Sequence, residues 1–414
     1  MTNTIEKHTR LKKTTPNPVT KNSVCFLMPA VGQPRWAKRV SMLKEEGFHV
    51  QALCFERDYH QGRLPDCSIY SLGQIEKGRY LKRLLIMGSV LPVIRKKTVN
   101  NDVIYAFGLD LALLSFIANV FRQKHIVLEV GDIRAIQVKA GLVGKLMQRL
   151  SQWIYKRVSL LVVTSEDFVS GYYSYSDVNQ TPYIVIENKQ EKASDDSYRA
   201  VTETINPQSS TVTDVALSKV IRIGYFGLLR SPWSYLTLAR YAADNSETVK
   251  IVVAGALHEG HTEFEELLTL DNVEYLGPYR SPDDLINLYS QVDLVWGCYP
   301  DPPPSNQTPN EAWSWARAVC RSNRFYESCF YNVPIISMAH SKDGQVVEQY
   351  GVGAILESYD YDVIKENLDS ISSEKLAIWR HNITNLPEHI HSYTDESQRL
   401  AKAIRNSNKS GLIL

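Results

Sequence analysis

The run Asn323-Arg324-Phe325-Tyr326-Glu327-Ser328-Cys329-Phe330-Tyr331-Asn332-Val333-Pro334-Ile335-Ile336 reads as a helix with an acid on its first turns, an Asn/Pro break, and an apolar strand. In an α/β sheet that order sets Glu327 where a helix begins above a strand edge, which is where ligands bind. A second arrangement precedes it. Strand 222–226 runs into Gly227-Leu228-Leu229-Arg230, and Ser231-Pro232 can start the next helix, because proline favours the first helical position. A glycine after a strand lets a diphosphate approach the backbone, and a helix N-terminus offers unbonded N–H groups and positive potential. Arg230 would add a charged clamp on that diphosphate. The plain alternatives are an exposed helix acid at Glu327 and an ordinary strand-to-helix turn with an exposed arginine at 230.

Positioning these groups falls to a chain of 414 residues, 44% hydrophobic and 22% charged, with a formal net charge of +1. Such a length implies two domains of about 150–200 residues each. The near-neutral charge excludes nucleic acid as the main partner, which would need a basic surplus or stripe. No apolar run reaches the roughly 18 residues that span a bilayer. Residues 1–22 are polar and basic without an apolar segment, so a disordered tail is expected there rather than a secretory signal. Cys25, Cys54, Cys67, Cys298, Cys320 and Cys329 form no Cys-x-x-Cys pair, and several lie in apolar runs. Neither a zinc site nor a disulfide framework is expected, and the cytoplasm is the expected location.

Two series of alternating strands and helices are legible. The first begins at Val24-Cys25-Phe26-Leu27-Met28 and its following loop, then a helix at 35–46 that Gly47 stops. Further strands are expected at 48–55, 103–106, 126–130, 160–164 and 183–186. Ser, Thr, Asp, Asn and Pro dominate 193–213, the composition of a linker. The second series begins at Ile221-Arg222-Ile223-Gly224-Tyr225-Phe226, with strands at 249–254, 273–275, 294–296, 334–337 and 353–356, and a mainly helical end. The alternation implies parallel sheets. The expected division is a tail (1–22), a first Rossmann-like domain (23–190), a linker (191–219), a second Rossmann-like domain (220–385) and a C-terminal helical segment (386–414).

The run around Glu327 resembles the nucleotide-sugar motif of GT-B glycosyltransferases of the family 4, or group 1, type, which carry a similar Asn-Lys-x-Tyr-Glu pattern before Pro-Val-Ile. The resemblance extends over most of the second half, through Val252-Val253-Ala254-Gly255, Asn272-Val273-Glu274-Tyr275-Leu276-Gly277, Gln291-Val292-Asp293-Leu294-Val295, Lys342-Asp343-Gly344 and Gly351-Val352-Gly353. It implies an α/β GT-B fold: two Rossmann-like parallel-sheet domains facing a cleft, with C-terminal helices packing back toward the first. It implies that Glu327 holds the donor ribose, that Arg230 and the Gly227 loop hold the diphosphate, and that Tyr326 belongs to the donor site. Gly32, in the loop after the first strand, would face the cleft and touch donor phosphate. The family often has a second, sugar-facing glutamate eight positions earlier, where this chain has Val319. Asn323 and Arg324 are the nearest polar groups to serve the diphosphate or sugar instead.

A glycosyl transfer also needs its acceptor hydroxyl positioned, and inverting enzymes need a base beside it. Asp132, directly after strand 126–130, is the candidate in the first domain; its alternative role is a helix N-cap. Glu129 inside that strand reads as a buried structural partner, and Asp110 as a capping residue. Asp360-Tyr361-Asp362 has the spelling of a metal-binding pair, yet it opens a helix whose dipole such acids complement. No metal or other cofactor is therefore expected, the nucleotide-sugar being a substrate. The proline-rich segment 299–309 is either a lid or a rigid loop, and Trp313 and Trp315 read as packing residues. Two basic and apolar segments, 77–97 and 137–157, are either ordinary amphipathic helices or contacts with an anionic membrane. The expected function is transfer of a sugar from a UDP- or GDP-linked donor to a glycan or lipid-linked glycan acceptor, in bacterial surface or exopolysaccharide assembly. The alternatives are a nucleotide-sugar 2-epimerase of the same fold and a non-catalytic nucleotide-sugar or glycan-binding module.

Overall fold

In a computed structural model the described residues are 22–56, 62–74, 86–133, 137, 141–173, 181–191, 220–257, 262–299, 319 and 321–407. The tail at 1–21, most of the linker, the proline-rich segment, Trp313, Trp315 and Lys77, Arg79, Lys82, Arg83 and Lys139 of the basic segments lie outside them.

The first domain contains β1 (Ser23–Met28), α1 (Pro34–Glu45), β2 (His49–Glu56), β3 (Ser68–Gln74), α2 (Leu91–Lys97), β4 (Val103–Phe107), α3 (Leu109–Ala118), β5 (His125–Val130), α4 (Leu142–Tyr155), β6 (Leu160–Val163) and β7 (Tyr183–Val185). The second contains β8 (Ile221–Phe226), α5 (Pro232–Asp244), β9 (Val249–Ala254), α6 (Thr262–Leu267), β10 (Val273–Tyr275), α7 (Leu285–Tyr289), β11 (Leu294–Trp296), α8 (Asn323–Phe330), β12 (Ile335–Met338), α9 (Lys342–Tyr350), β13 (Gly353–Leu356), α10 (Tyr361–Asp369) and α11 (Ser373–Thr384). α12 (Glu396–Ser407) follows.

Both sheets are parallel, ordered β3-β2-β1-β4-β5-β6-β7 and β10-β9-β8-β11-β12-β13. Their inner strands are mainly apolar because helices cover both faces, and β1, β4, β6, β11 and β12 are buried at every residue. Alternation then divides each strand between two cores. Cys25 and Leu27 join one layer of the first domain, while Val24, Phe26 and Met28 join the other. In the second domain Ile223 and Tyr225 face one layer and Phe226 the opposite one.

The chain end returns to the first domain, as the resemblance implied. Leu400, Ala401 and Ile404 of α12 pack with Val40, Leu43 and Phe48, and Arg405 donates to the Glu46 carbonyl at 2.6 Å. The Lys189 ammonium pairs with Glu396 at 2.7 Å, and a bridge joins Gln190 to Ser392. Among the described residues, the strand for which the sequence gives no expectation is β3, which lies at a sheet edge.

Candidate functional site

In each sheet the strand order reverses beside the first strand, at β1 between β2 and β4 and at β8 between β9 and β11. Adjacent strands there send their connections to opposite faces, which opens a crevice at the carboxyl ends. The loops leaving β1 and β8 carry Gly32 and Gly227, and both line one cavity of about 390 Å³ between the domains.

Glu327 lies on this wall, held by α8. The helix starts at Ser322, whose hydroxyl accepts from the Phe325 N–H at 3.3 Å. The Asp343 carboxylate anchors that cap, accepting from the Ser322 N–H at 3.0 Å and its hydroxyl at 2.6 Å. The Tyr331-Asn332-Val333 turn ends the helix with Asn332 at φ 54°, the left-handed conformation that asparagine tolerates. Glu327 is only 5% exposed, so the exposed-acid alternative fails. Its Oε2 accepts a 3.0 Å hydrogen bond from the Tyr289 hydroxyl. Burial raises its pKa, and Lys38, Tyr289 and Arg324 partly offset that effect by favouring the carboxylate.

Arg324 stands one helical turn earlier. It donates to the Trp296 carbonyl at 3.2 Å and lies over the Tyr225 ring, 5.0 Å from its centre. The neighbouring Gly227 has φ 114°, and a Cβ built on Gly255 would come within 1.7 Å of the Gly227 carbonyl oxygen. Two glycines therefore let the β8 and β9 loops approach each other and leave the backbone open to a ligand. Arg230 and Asn323 are exposed on the cavity wall, Arg230 being 5.5 Å from the centre of the Tyr299 ring.

Across the cleft, Asp132 and Gly32 also line the cavity. Glu129 does not. It is buried, receives the Arg39 Nε–H at 3.1 Å and the Tyr105 hydroxyl at 2.5 Å, and thereby neutralises a guanidinium that also reaches the Ile186 carbonyl at 2.6 Å. Asp110 lies in the first turn of α3, but the capping position is Gly108. Asp360 caps α10, accepting from Asp362 and Val363 N–H groups at 3.0 and 3.4 Å. Among the described residues no group of three or more His, Cys, Asp or Glu is placed to hold a metal.

Tyr326 departs from expectation. It is fully buried beside the cavity wall rather than on it, and its hydroxyl donates to Glu187 Oε1 at 3.1 Å. One residue along a helix turns a side chain by about 100°, so Glu327 and Tyr326 cannot share the pocket face. Val319 is fully buried and packs with the first domain's core, so the position of the family's sugar-facing acid supplies packing here.

Two cavity-lining cations went unnoticed in the sequence. Arg35 sits in the first turn of α1, immediately after the Gly32-Gln33-Pro34 loop, which was the signal available. Arg321 precedes Ser322; its Nη1 lies 3.1 Å from Glu187 Oε1, tying the second domain to the segment leaving the first. Lys342 and Asp167 make a second such tie at 2.5 Å. Lys38 stays within the first domain: its Nζ donates to the Lys189 carbonyl at 2.7 Å, burial pushes it down to about 8, and the charge of Glu327 across the cleft opposes that shift.

No protein-family profile matches the chain. The succinoglycan biosynthesis protein ExoL of Rhizobium meliloti is 24% identical over 353 residues, covering 82% of each chain. Anabaena HepE, solved with UDP-glucose, superposes with a TM-score of 0.64 at 14% identity, covering 93% of this chain and 99% of that one. Sucrose-phosphate synthase from Thermosynechococcus elongatus gives a TM-score of 0.66 at 10% identity, with coverage of 93% and 99%. These likenesses extend over both domains, and the chain has the GT-B fold.

Proposed function

We propose that this chain, with its GT-B fold, is a glycosyltransferase that moves a hexosyl group from a UDP- or GDP-linked donor to a glycan or lipid-linked glycan during surface polysaccharide synthesis. The observation that carries this reading is one cavity holding Glu327, Arg324, Arg230 and Gly227 on one side and Asp132 on the other. Glu327, oriented by Tyr289, accepts hydrogen bonds from the ribose hydroxyls. The Gly227 backbone, Arg324 and Arg230 surround the diphosphate and stabilise the charge that grows on it as the glycosidic bond breaks, so no metal is required in this scheme. Asp132 orients the acceptor hydroxyl and is placed to take its proton. The ExoL relative's name and HepE's binding of UDP-glucose support the polysaccharide and nucleotide-sugar parts of the proposal.

The same reading places the acceptor side near a membrane. No helix among the described residues is long and apolar enough to cross one. Yet α4 exposes Leu142 (86%) and Leu146 (66%) together with Lys145 and Arg149. Such a face suits the surface of an anionic bilayer.

The decisive experiment measures UDP and GDP release from their nucleotide-sugars, with and without extracted lipid-linked acceptors. Acceptor-dependent release with a new glycosidic product supports the proposal. Epimerised donor without transfer would replace it with the epimerase. Nucleotide-sugar binding with no turnover across donors and acceptors would favour the binding module, a reading that the packed Val319 keeps open.

A further inference from the structure

One residue of the first domain combines backbone strain with complete exposure. Phe121 has φ 66°, a conformation that glycine or asparagine normally takes, and it is 98% exposed. It is the third residue of the tight turn Asn119-Val120-Phe121-Arg122, which the Arg122 N–H closes on the Asn119 carbonyl at 2.8 Å. Side chains hold this turn in place. Arg95 Nη1 donates to the Ala118 and Val120 carbonyls at 3.0 and 3.3 Å, and Arg122 Nη1 donates to the Arg95 carbonyl at 2.8 Å. A large apolar side chain is thus fixed in water at a conformational cost, with no burial to offset it. Such an outlier points to a use outside the fold.

Ile117 and Val120, beside Phe121 in the chain, are exposed as well. The turn joins α3 to β5, so it stands at the amino ends of the strands, opposite the cleft. Helices α2, α3 and α4 cover the same face of the sheet, with Ile94, Leu111 and Ile154 in one core layer. On α4 the exposed residues Leu142, Leu146 and Trp153 recur at helical spacing on one face. The Trp153 ring meets Phe116 of α3 edge-on, with centres 5.5 Å apart. An apolar band therefore runs from the cleft end of this layer, where α4 begins, to the Phe121 turn, about 21 Å along α4. Its charge is one-sided: residues 91–124 and 141–157 carry nine Lys and Arg against Asp102 and Asp110, in a chain of net charge +1. Arg95 and Arg122 donate to neutral carbonyls and so keep their charge. Apolar groups flanked by cations suit an anionic lipid surface, whereas a second copy would set like charges against each other.

We propose that Phe121 is an anchor that inserts into an anionic bilayer, and that its turn and α4 together lay the layer of α2, α3 and α4 flat on that surface. This inference rests on the membrane reading above and adds to it a second contact, at the other end of the layer.

The test compares the full chain with its Phe121→Gly variant, because glycine suits φ 66° and spares the fold. The substitution should weaken binding to vesicles of equal parts phosphatidylcholine and phosphatidylglycerol by about 10-fold or more, the scale for one buried aromatic side chain. In solution its melting temperature should stay the same or rise. Vesicles of phosphatidylcholine alone should bind both proteins far more weakly. In Phe121→Trp, vesicles with brominated acyl chains should quench fluorescence that the unaltered protein lacks. Equal binding of the unaltered protein and Phe121→Gly to anionic vesicles would overturn the anchor and leave the α4 reading standing. An earlier melt of Phe121→Gly would make Phe121 a packing residue and overturn it as well. Dimers that Phe121→Gly abolishes, with no vesicle binding, would assign the patch to a second copy instead. Failure of the unaltered protein to bind anionic vesicles would overturn the membrane reading itself, and this inference with it.

Discussion

The Tyr289 hydroxyl donates to Glu327 Oε2 at 3.0 Å, joining the end of α7 to the middle of α8 beneath the cavity floor. The bond commits one lone pair of a buried carboxylate and fixes the plane in which its remaining lone pairs can accept. Glu327→Ala is expected to weaken nucleotide binding by about 1–3 kcal/mol, the range for losing hydrogen bonds to a charged acceptor. Calorimetric titration with UDP and GDP checks this, and unchanged affinity would remove Glu327 from the ribose site. Tyr289→Phe keeps the carboxylate and should cost less.

Asp343 makes folding stability depend on pH. Burial is the largest effect and pushes its carboxyl up to about 6, against the opposing influence of Arg321, the Ser322 donors and Arg324. Between its ordinary value near 3.8 and about 6, the folded state holds a proton that the unfolded chain has released. Stability from this group is therefore complete at low pH and is lost as pH rises through that window. A shift of this size amounts to roughly 3 kcal/mol at most. In Asp343→Asn that loss disappears, so the variant should gain relative to the unaltered protein between about pH 4 and pH 7 in urea melts. A difference in stability that stays constant across that range would refute the argument.

The parts of the fold legible in the sequence were those set by local pattern. Runs such as Val24-Cys25-Phe26-Leu27-Met28 are apolar at every position because they are covered on both faces, and they announced the inner strands. β3 gave no such signal: Ser68–Gln74 is a half-exposed edge strand with Gly73 near its end, so burial did not dictate its composition. At the site, Glu327 and Gly227 were readable because a helix start and a strand end place them whatever the remaining sequence does. Arg35 and Arg321 were not, since their presence in the cavity depends on how the domains face one another. The direction of the Tyr326 side chain was not legible for a complementary reason. Neighbouring a site residue in sequence says nothing about which helix face a side chain takes, and its hydroxyl bonds to Glu187 in the other domain's exit segment.

Asp132 faces the cavity from the loop after β5, on the side opposite Glu327. Asp132→Asn keeps size and most hydrogen-bonding capacity but cannot take a proton. Donor affinity should be unchanged, whereas acceptor-dependent transfer should fall by about 100-fold or more. Separate measurements of nucleotide-sugar binding and of product formation distinguish the two effects. Full transfer activity would leave Asp132 a structural turn residue.

The exposed apolar residues of α4 give the membrane reading its own test. Leu142 and Leu146 lie on the solvent side beside Lys145 and Arg149, and neither belongs to the buried core. Replacing both leucines by Asp should leave the melting temperature nearly unchanged and reduce co-sedimentation with vesicles containing anionic lipid. Raised salt should weaken binding of the unaltered protein, because part of the attraction is electrostatic. Equal sedimentation of both proteins would show that α4 is not the contact.

Arg39 and Glu129 are both fully enclosed, with Nε 3.1 Å from Oε2, and Tyr393 of the returning chain accepts from the same guanidinium at 3.0 Å. The pair sits where α1, β5 and the segment leaving β7 meet the returning chain. Removing one partner strands a charge in a medium that solvates it poorly, at a cost of about 3–5 kcal/mol. Arg39→Met alone should therefore lower stability by about that amount in denaturant melts. Combining it with Glu129→Gln should restore much of the loss, since no unpaired charge then remains. If the double variant were no more stable than Arg39→Met, the pair's worth would lie in the guanidinium's bonds to Ile186 and Tyr393 rather than in charge compensation.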